Sequence, residues 1–350
     1  MLTTFQAGDR VVSTDILTTS TWTNNLNNLI TAFTSSGQVS FLTPTSSGQF
    51  YIDVYNQHAA SASSVVQYAV AFGNREGSGS IDFTNDTGSL GIGPSKVIYS
   101  QYQQLAYRDE NTLFTFGSHT PKSIFVINVN RSRYKHNLKP GTLNLHISGN
   151  TTGILSEGEG GPQAKIHLTD DFVTNAGASV STPLGRRFNV VSGSSGISSG
   201  SVINQVNKSS SYGHFYPDSG LIILNPDNFG GSLSPKLNPG NSTNTDRNHE
   251  QLYQHISGGK HFIIDSQEKV TSQYYFIRAR NSEYNFTNNP SFTDTTGAIR
   301  FDSMIGNPVV YITTVGLYNT SGDLVAVAKL SQPVTKDFTK EALLRVKLDY

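Results

Sequence analysis

The chain has 350 residues, of which 36% are hydrophobic and only 14% charged, and its 25 basic and 25 acidic side chains cancel to zero net charge. That balance supplies no field to steer it toward nucleic acid or an acidic membrane, and it weakens the self-repulsion that keeps proteins apart. Cysteine is absent, which excludes a disulfide framework and thiolate metal sites.

Ser, Thr and Asn fill much of the space left by the scarce charges. Thr suits strands, while Asn and Ser favour turns and weaken helix interiors. The expected class is therefore mainly β: β-sandwich-like domains with one or two short helices and a β-rich middle insertion. The first residues show neither a basic nor an apolar leader segment, so no secretory signal is expected. No run approaches 18 apolar residues, so no membrane insertion is expected.

Residues 1–49 read as an N-terminal arm. Within it "TWTNNLNNLITAF" places Trp22, Leu26, Leu29, Ile30 and Phe33 at helical spacing, in a segment too polar to make its own core. The arm is expected to pack on another chain through Trp22, Leu26 and Phe33. Alternation in "QFYIDVYNQ" and "SSVVQYAVAFGN" predicts two strands, and "PSKVIYSQYQQLAY" predicts a helix opening at Pro94. Strands follow at "SIFVINVN" and "GTLNLHIS", making 50–148 a β-rich domain. Residues 149–260 carry long Gly/Ser loops around short strand candidates and read as an exposed β module. In it, "YGHFYPDSGLIILNP" predicts strand, turn and strand, and "DRNHEQLYQHI" predicts a second helix. From 261 to 350 the expected strands are "HFIID", "SQYYFIRARN", "AIRFD", "VVYITTVGLYN", "LVAVAKLS" and "ALLRVKLDY", a C-terminal β domain that can share one sandwich with 50–148. Its clearest hairpin joins two strand runs across "TSGD". The last run reaches Tyr350 with no polar tail, which predicts a C-terminus tied into the sheet.

Little in this pattern performs chemistry. "GISSG" matches a nucleophile elbow at Ser198, but it lies in a Gly/Ser run with a poor helix after it. "GSLGIGPSK" lacks the Gly-Lys-Ser/Thr ending of a phosphate loop, and Pro94 removes an N–H. His249 and His255 are six apart, not at metal-pair spacing, and "DFTNDTGSL" lacks the distal Glu of a calcium loop. The acidic pairs Asp170–Asp171 and Asp109–Glu110 read as polar connections. No enzyme, metal or cofactor is expected.

Two clusters read as protein-interface candidates. "NRSRYKHNLK" gathers Arg131 and Arg133 around Tyr134; with zero net charge an acidic protein patch suits it better than nucleic acid. "QYYFIRARNSEYNFTNNPSF", residues 273–292, puts Tyr274, Phe276, Arg278 and Arg280 on one strand face, with Tyr284 and Phe286 in the turn beyond. Tyr, Phe and Arg together are the types enriched at interface cores.

Several long stretches carry a resemblance. "YAVAFGNREGSGSIDFTNDTG", "SIFVINVNRSRYKHNLKPGTLNLHISG", "FYPDSGLIILNP", "SQYYFIRARNSEYNFTNNPSF" and the final "ITTVGLYNTSGDLVAVAKLSQPVTKDFTKEALLRVKLDY" resemble a virion structural protein of contractile-tailed, T-even-related phages, especially cyanophages. The last of these is also similar to the sheet-forming end of baseplate-docking modules in tail-fibre proteins. The resemblance implies a tail or baseplate component in the virion, made in the host cytoplasm. Its partners would be other phage tail proteins and copies of itself, with tail fibres or a host glycan as further ligands. It transfers no catalytic residue. The rival expectations are a glycan-binding adhesin, a neck or capsid-associated protein, and a depolymerase, the last of which needs two carboxylates in an aromatic groove.

Overall fold

The computed structural model describes residues 4–20, 51–55, 62–79, 94–148, 165–198, 211–229, 248–259, 261–287 and 289–350. Trp22, Leu26, Phe33 and the helix expected around them lie outside these residues, as do the calcium-like loop and residues 88–93 of the phosphate-like loop. The strands are β1 (Arg10–Ser20), β2 (Tyr51–Tyr55), β3 (Val66–Asn74), β4 (Ser123–Val129), β5 (Asn137–Leu138), β6 (Asn144–Ser148), β7 (Lys165–Asp170), β8 (Val180–Thr182), β9 (Gly185–Ser194), β10 (Ile197–Ser198), β11 (Gly213–Tyr216), β12 (Leu221–Leu224), β13 (Phe262–Ile263), β14 (Asp265–Ala279), β15 (Val310–Tyr318), β16 (Leu324–Lys336) and β17 (Ala342–Asp349). The helices are α1 (Pro94–Tyr107) and α2 (Asn248–Gly259). The fold is mainly β, as composition implied. Two compact units divide it: Leu17–Glu268, and Met1–Ile16 with Lys269–Tyr350.

In the larger unit one antiparallel sheet runs β13-β6-β7-β9-β11-β12-β4-β3-β2, with β8 and β10 added beside β9. The middle of the chain is β-rich, as expected. Its strands are not set apart as a module, because β7, β9, β11 and β12 lie between β6 and β4 in this sheet. The reason is legible in "LIIL" and "SIFVINV": these runs are apolar on both faces and need cover on both sides. All four residues of β12 are buried. On one face Val70, Phe125, Ile127, Leu145, Phe215 and Ile222 meet Leu252 and Ile256 of α2. On the other, Val126, Tyr216 and Ile223 meet Ile98, Tyr99 and Ala106 of α1. The helix α1 lies directly on β3: a Cβ at Gly73 would stand 2.9 Å from the Tyr99 backbone nitrogen. It spans the fourteen residues its sequence predicted, with Pro94 in the first turn, where a missing N–H costs nothing.

Asp170 and Asp171 are not solvated connections but buried ties. Asp170 Oδ1 accepts from the backbone N–H groups of Gly141 (2.8 Å) and Phe172 (3.1 Å). Asp171 accepts from the Asn189 backbone N–H (2.9 Å) and from the side-chain amides of Asn175 and Asn189. Burial pushes the Asp170 carboxyl up, and its backbone donors pull the other way.

In the smaller unit β14 is flanked by β1 and β17, and β15–β16 form a separate two-stranded sheet. Residues 10–20, expected as part of an open arm, are a strand. At its start the Phe276 N–H donates to the Asp9 carbonyl (2.8 Å). "AIRFD" is not a strand: Ile299 makes one isolated bridge to Thr293, and a short 3-10 turn begins at Asp302. Asp294 organises that region by accepting from Thr296 and from the Ala298 N–H (2.9 Å), a local turn that outcompetes sheet pairing.

Candidate interaction surface

Alternation along β14 and its register with β17 settle which residues share a face. Tyr274 stands opposite Lys347, Phe276 opposite Arg345 and Arg278 opposite Leu343. Behind them Ala279, Ala342 and Val346 are buried, and Tyr275 meets the Phe5 ring at 5.3 Å between centroids. The expected split into an apolar face and an aromatic–arginine face is present. The second face is already furnished with cations from its own chain. The Arg345 guanidinium lies 5.7 Å from the Tyr274 ring centre and the Lys347 ammonium 5.9 Å. Arg278 donates to Glu341 Oε2 from Nη2 (2.8 Å) and Nε (3.2 Å), a pairing that holds the guanidinium charged and its pKa above the usual value.

The turn beyond is held from beneath. Lys336 is fully enclosed, and its ammonium donates to the Asn281 carbonyl (2.9 Å), Asn285 Oδ1 (2.7 Å) and the Asp337 carbonyl (2.9 Å). Three donors meet three acceptors, the condition under which a buried ammonium is tolerated. Tyr284 adopts a left-handed φ of 55° above this pin and is half-buried, while Arg280 and Phe286 face solvent. Asn289 caps the Pro290–Phe292 turn through the Ser291 N–H.

In the basic knot the aromatic is buried and the turn of arginines is not. Tyr134 is a core residue rather than a surface anchor, and Arg131 lies over its ring at 4.7 Å while donating to its carbonyl (2.6 Å). Arg131–Arg133 form a 3-10 turn at the end of β4, capped by Asn130 and not buried.

Nor do the chemical motifs assemble. Ser198 sits on the two-residue β10 against β9, with its N–H donating to Thr174 Oγ1 (2.9 Å), and not on a strand-to-helix elbow. His255 Nδ1 contacts the Ser148 carbonyl, and His249 is buried. Among the described residues no group of three His, Asp or Glu side chains could hold a metal ion.

Two features escaped sequence reasoning. His146, His167 and His261, from β6, β7 and the residue before β13, form a ring stack. The His146–His167 centroids are 3.7 Å apart and those of His146–His261 4.1 Å. No spacing rule links three positions so far apart in the chain. His214 is buried against Phe116 (4.5 Å between centroids). Burial, aided by the charge of Arg187, pushes its imidazole down to about 3 and keeps it neutral.

Many apolar side chains of the smaller unit are exposed. Val11, Val12, Ile16, Phe286, Phe301, Ile305, Tyr311, Tyr318, Leu324, Val325, Val327 and Leu343 are all exposed there. Its buried apolar residues are only Ala279, Val310, Leu317, Ala342 and Val346 among those described. Comparison with protein-family models, curated proteins and solved structures gives no match.

Proposed function

We propose that this chain is a non-enzymatic structural protein of a contractile phage tail or baseplate, working by permanent assembly with other tail proteins and with copies of itself. The observation that carries the assembly role is the excess of exposed apolar side chains over buried ones in the smaller unit. Exposed apolar patches beyond a few hundred Å2 mark interaction sites. A partner that binds the folded unit supplies the stability its own core lacks. The site in the virion comes from the sequence resemblance, and the neutral, hydroxyl-rich surface suits close packing among neighbours.

The test is a map of the intact virion together with incorporation of a surface variant. Phe286→Ala with Leu343→Ala is expected to keep the melting temperature of the free chain and to be lost from purified particles. A map with this chain absent from the tail, or with its smaller unit bare to solvent, overturns the reading.

A further inference from the structure

We infer that Arg187, with Tyr107, His214 and Tyr216 around it, is a binding site for a carboxylate. This goes beyond the assembly reading and does not depend on it. Two adjacent arginines of β9 differ in what meets them. Arg186 donates to Asp218 Oδ1 from Nη2 (2.7 Å) and to Asp218 Oδ2 from Nε (3.3 Å). Phe188 packs on the α2 face of the sheet, so alternation turns Arg187 toward the α1 face. One register step beyond the pair Phe215–Phe188 sets Tyr216 beside it, and Tyr107 is the last residue of α1. Among the described residues no carboxylate forms an ion pair with Arg187. Arg187 Nε, His214 Nδ1 and Tyr216 Oη are buried without a hydrogen bond of normal geometry. His214 and Tyr216 keep only 1% and 0% of their surface exposed.

A guanidinium keeps its charge, and a buried donor without an acceptor is costly, so this set calls for an anion. Burial dominates the ionisation of Tyr107, His214 and Tyr216, and among the described residues Arg187 is the one charged group that acts on all three. The four side chains therefore lie close together around a single cation with no counter-charge. One uncompensated cation takes one negative charge. A phosphate carries about −1.5 to −2 at neutral pH and would leave a surplus in a site this enclosed. A carboxylate carries one, and the guanidinium fork matches its two oxygens side by side. The Tyr216 hydroxyl and a proton on His214 Nδ1 are further donors that a carboxylate accepts. Phe116 lies against the His214 ring at 4.5 Å between centroids and makes the inner wall apolar, which strengthens a charge-assisted pairing. Tyr107 and Arg187 are half-buried, so approach is from between the end of α1 and β9.

The probe is acetate, read by saturation-transfer NMR of its methyl signal on the full chain at constant ionic strength, from about 0.1 to 50 mM, the span of weak affinities. Wild type is expected to give a saturable signal with a Kd in the low millimolar range, the order a ligand this small can reach. Arg187→Gln is expected to lose the signal. Tyr107→Phe is expected to weaken binding about tenfold, the worth of one hydrogen bond to a charged group. Both variants should keep the circular dichroism spectrum of wild type; if Arg187→Gln fails to fold, Tyr107→Phe decides alone. Wild type with no saturable signal, or folded variants that bind acetate as it does, overturns the proposal. So does inorganic phosphate that displaces acetate at equal concentration, because the site then does not select a single negative charge. An acetylated and amidated Gly-Asp-Gly peptide separates two sources of the same chemistry. Displacement of acetate by the peptide assigns the site to an acidic side chain of another protein, and acetate binding without displacement assigns it to a small free acid.

Discussion

In the larger unit Tyr68, Phe125, Phe215 and Ile223 are fully enclosed between a sheet and two helices, whereas the five buried apolar residues of the smaller unit each keep 4–8% of their surface. Strand length does not explain the difference, since the smaller unit's strands are the longer, thirteen residues in β16 against ten in β9. What separates them is cover. The larger sheet receives α1 on one face and α2 on the other. Among the described residues of the smaller unit there is no α-helix, and its long hairpin has a bare face. A sheet without a covering layer keeps its apolar residues in water until another surface arrives. One unit completes its burial within the chain, and the other leaves a larger share of its apolar side chains exposed.

The contrast breaks most visibly in the core. Phe125→Ala is expected to cost about 3–5 kcal/mol, the range for a ring deleted from a close-packed interior, measured by denaturant unfolding of the larger unit. Leu317→Ala, at the edge of a thin core, is expected to cost less than half as much. Equal losses would mean that the smaller unit is as well packed as the larger.

Lys336→Met should be next, at about 3 kcal/mol, because it strips a charge-assisted donor from three acceptors. Hydrogen exchange should rise in 280–286 and at the end of β16 while β4 and β12 stay protected. A change in the larger unit instead would show that the pin is not local.

The pH test targets the larger unit. His214 titrates near 3 in the folded chain against an ordinary value near 6.5. A depressed folded value means that its contribution is complete above about pH 6.5 and is lost as pH falls toward 3, on the order of a few kcal/mol. His214→Phe should flatten the fall in melting temperature between pH 6.5 and 4. A variant as acid-sensitive as wild type would remove His214 from the account.

Smallest are the exposed groups. Breaking Arg278–Glu341 with Glu341→Gln should leave the melting temperature nearly unchanged, since both side chains are solvated. Ser198→Ala should leave stability within about 0.5 kcal/mol, and neither protein should turn over ester or polysaccharide substrates. Turnover by wild type that the variant loses would end the structural-protein reading.

Local chemistry was legible in the sequence. Helix α1 follows from Pro94 and its apolar spacing, and β11–β12 and β15–β16 follow from turns rich in Gly and Asp between apolar runs. The face assignment of Tyr274, Phe276 and Arg278 also held, because strand alternation has only one period. Long-range placement was not legible. Nothing local in "LIIL" says that it pairs with "SIFVINV" about a hundred residues earlier. Tyr134 read as a surface aromatic because charged neighbours surround it in sequence. Its ring instead turns inward against Gly220, a partner that only the folded chain supplies.

The enclosed Lys336 also sets a distance. It closes the far end of β16, and the turn at 319–323 closes the near end, thirteen strand residues away. The partner β15 spans the same ends in nine residues, with Val310 opposite Lys336 and Tyr318 opposite Leu324, so at about 3.3 Å per residue the pinned base and the tip lie roughly 26 Å apart. The hairpin is thus clamped at one end, with exposed Tyr318, Leu324, Val325 and Val327 clustered toward the other. Under the assembly proposed above, a neighbour bound at the tip sits at a reach fixed by the length of β15 between that lysine and that turn.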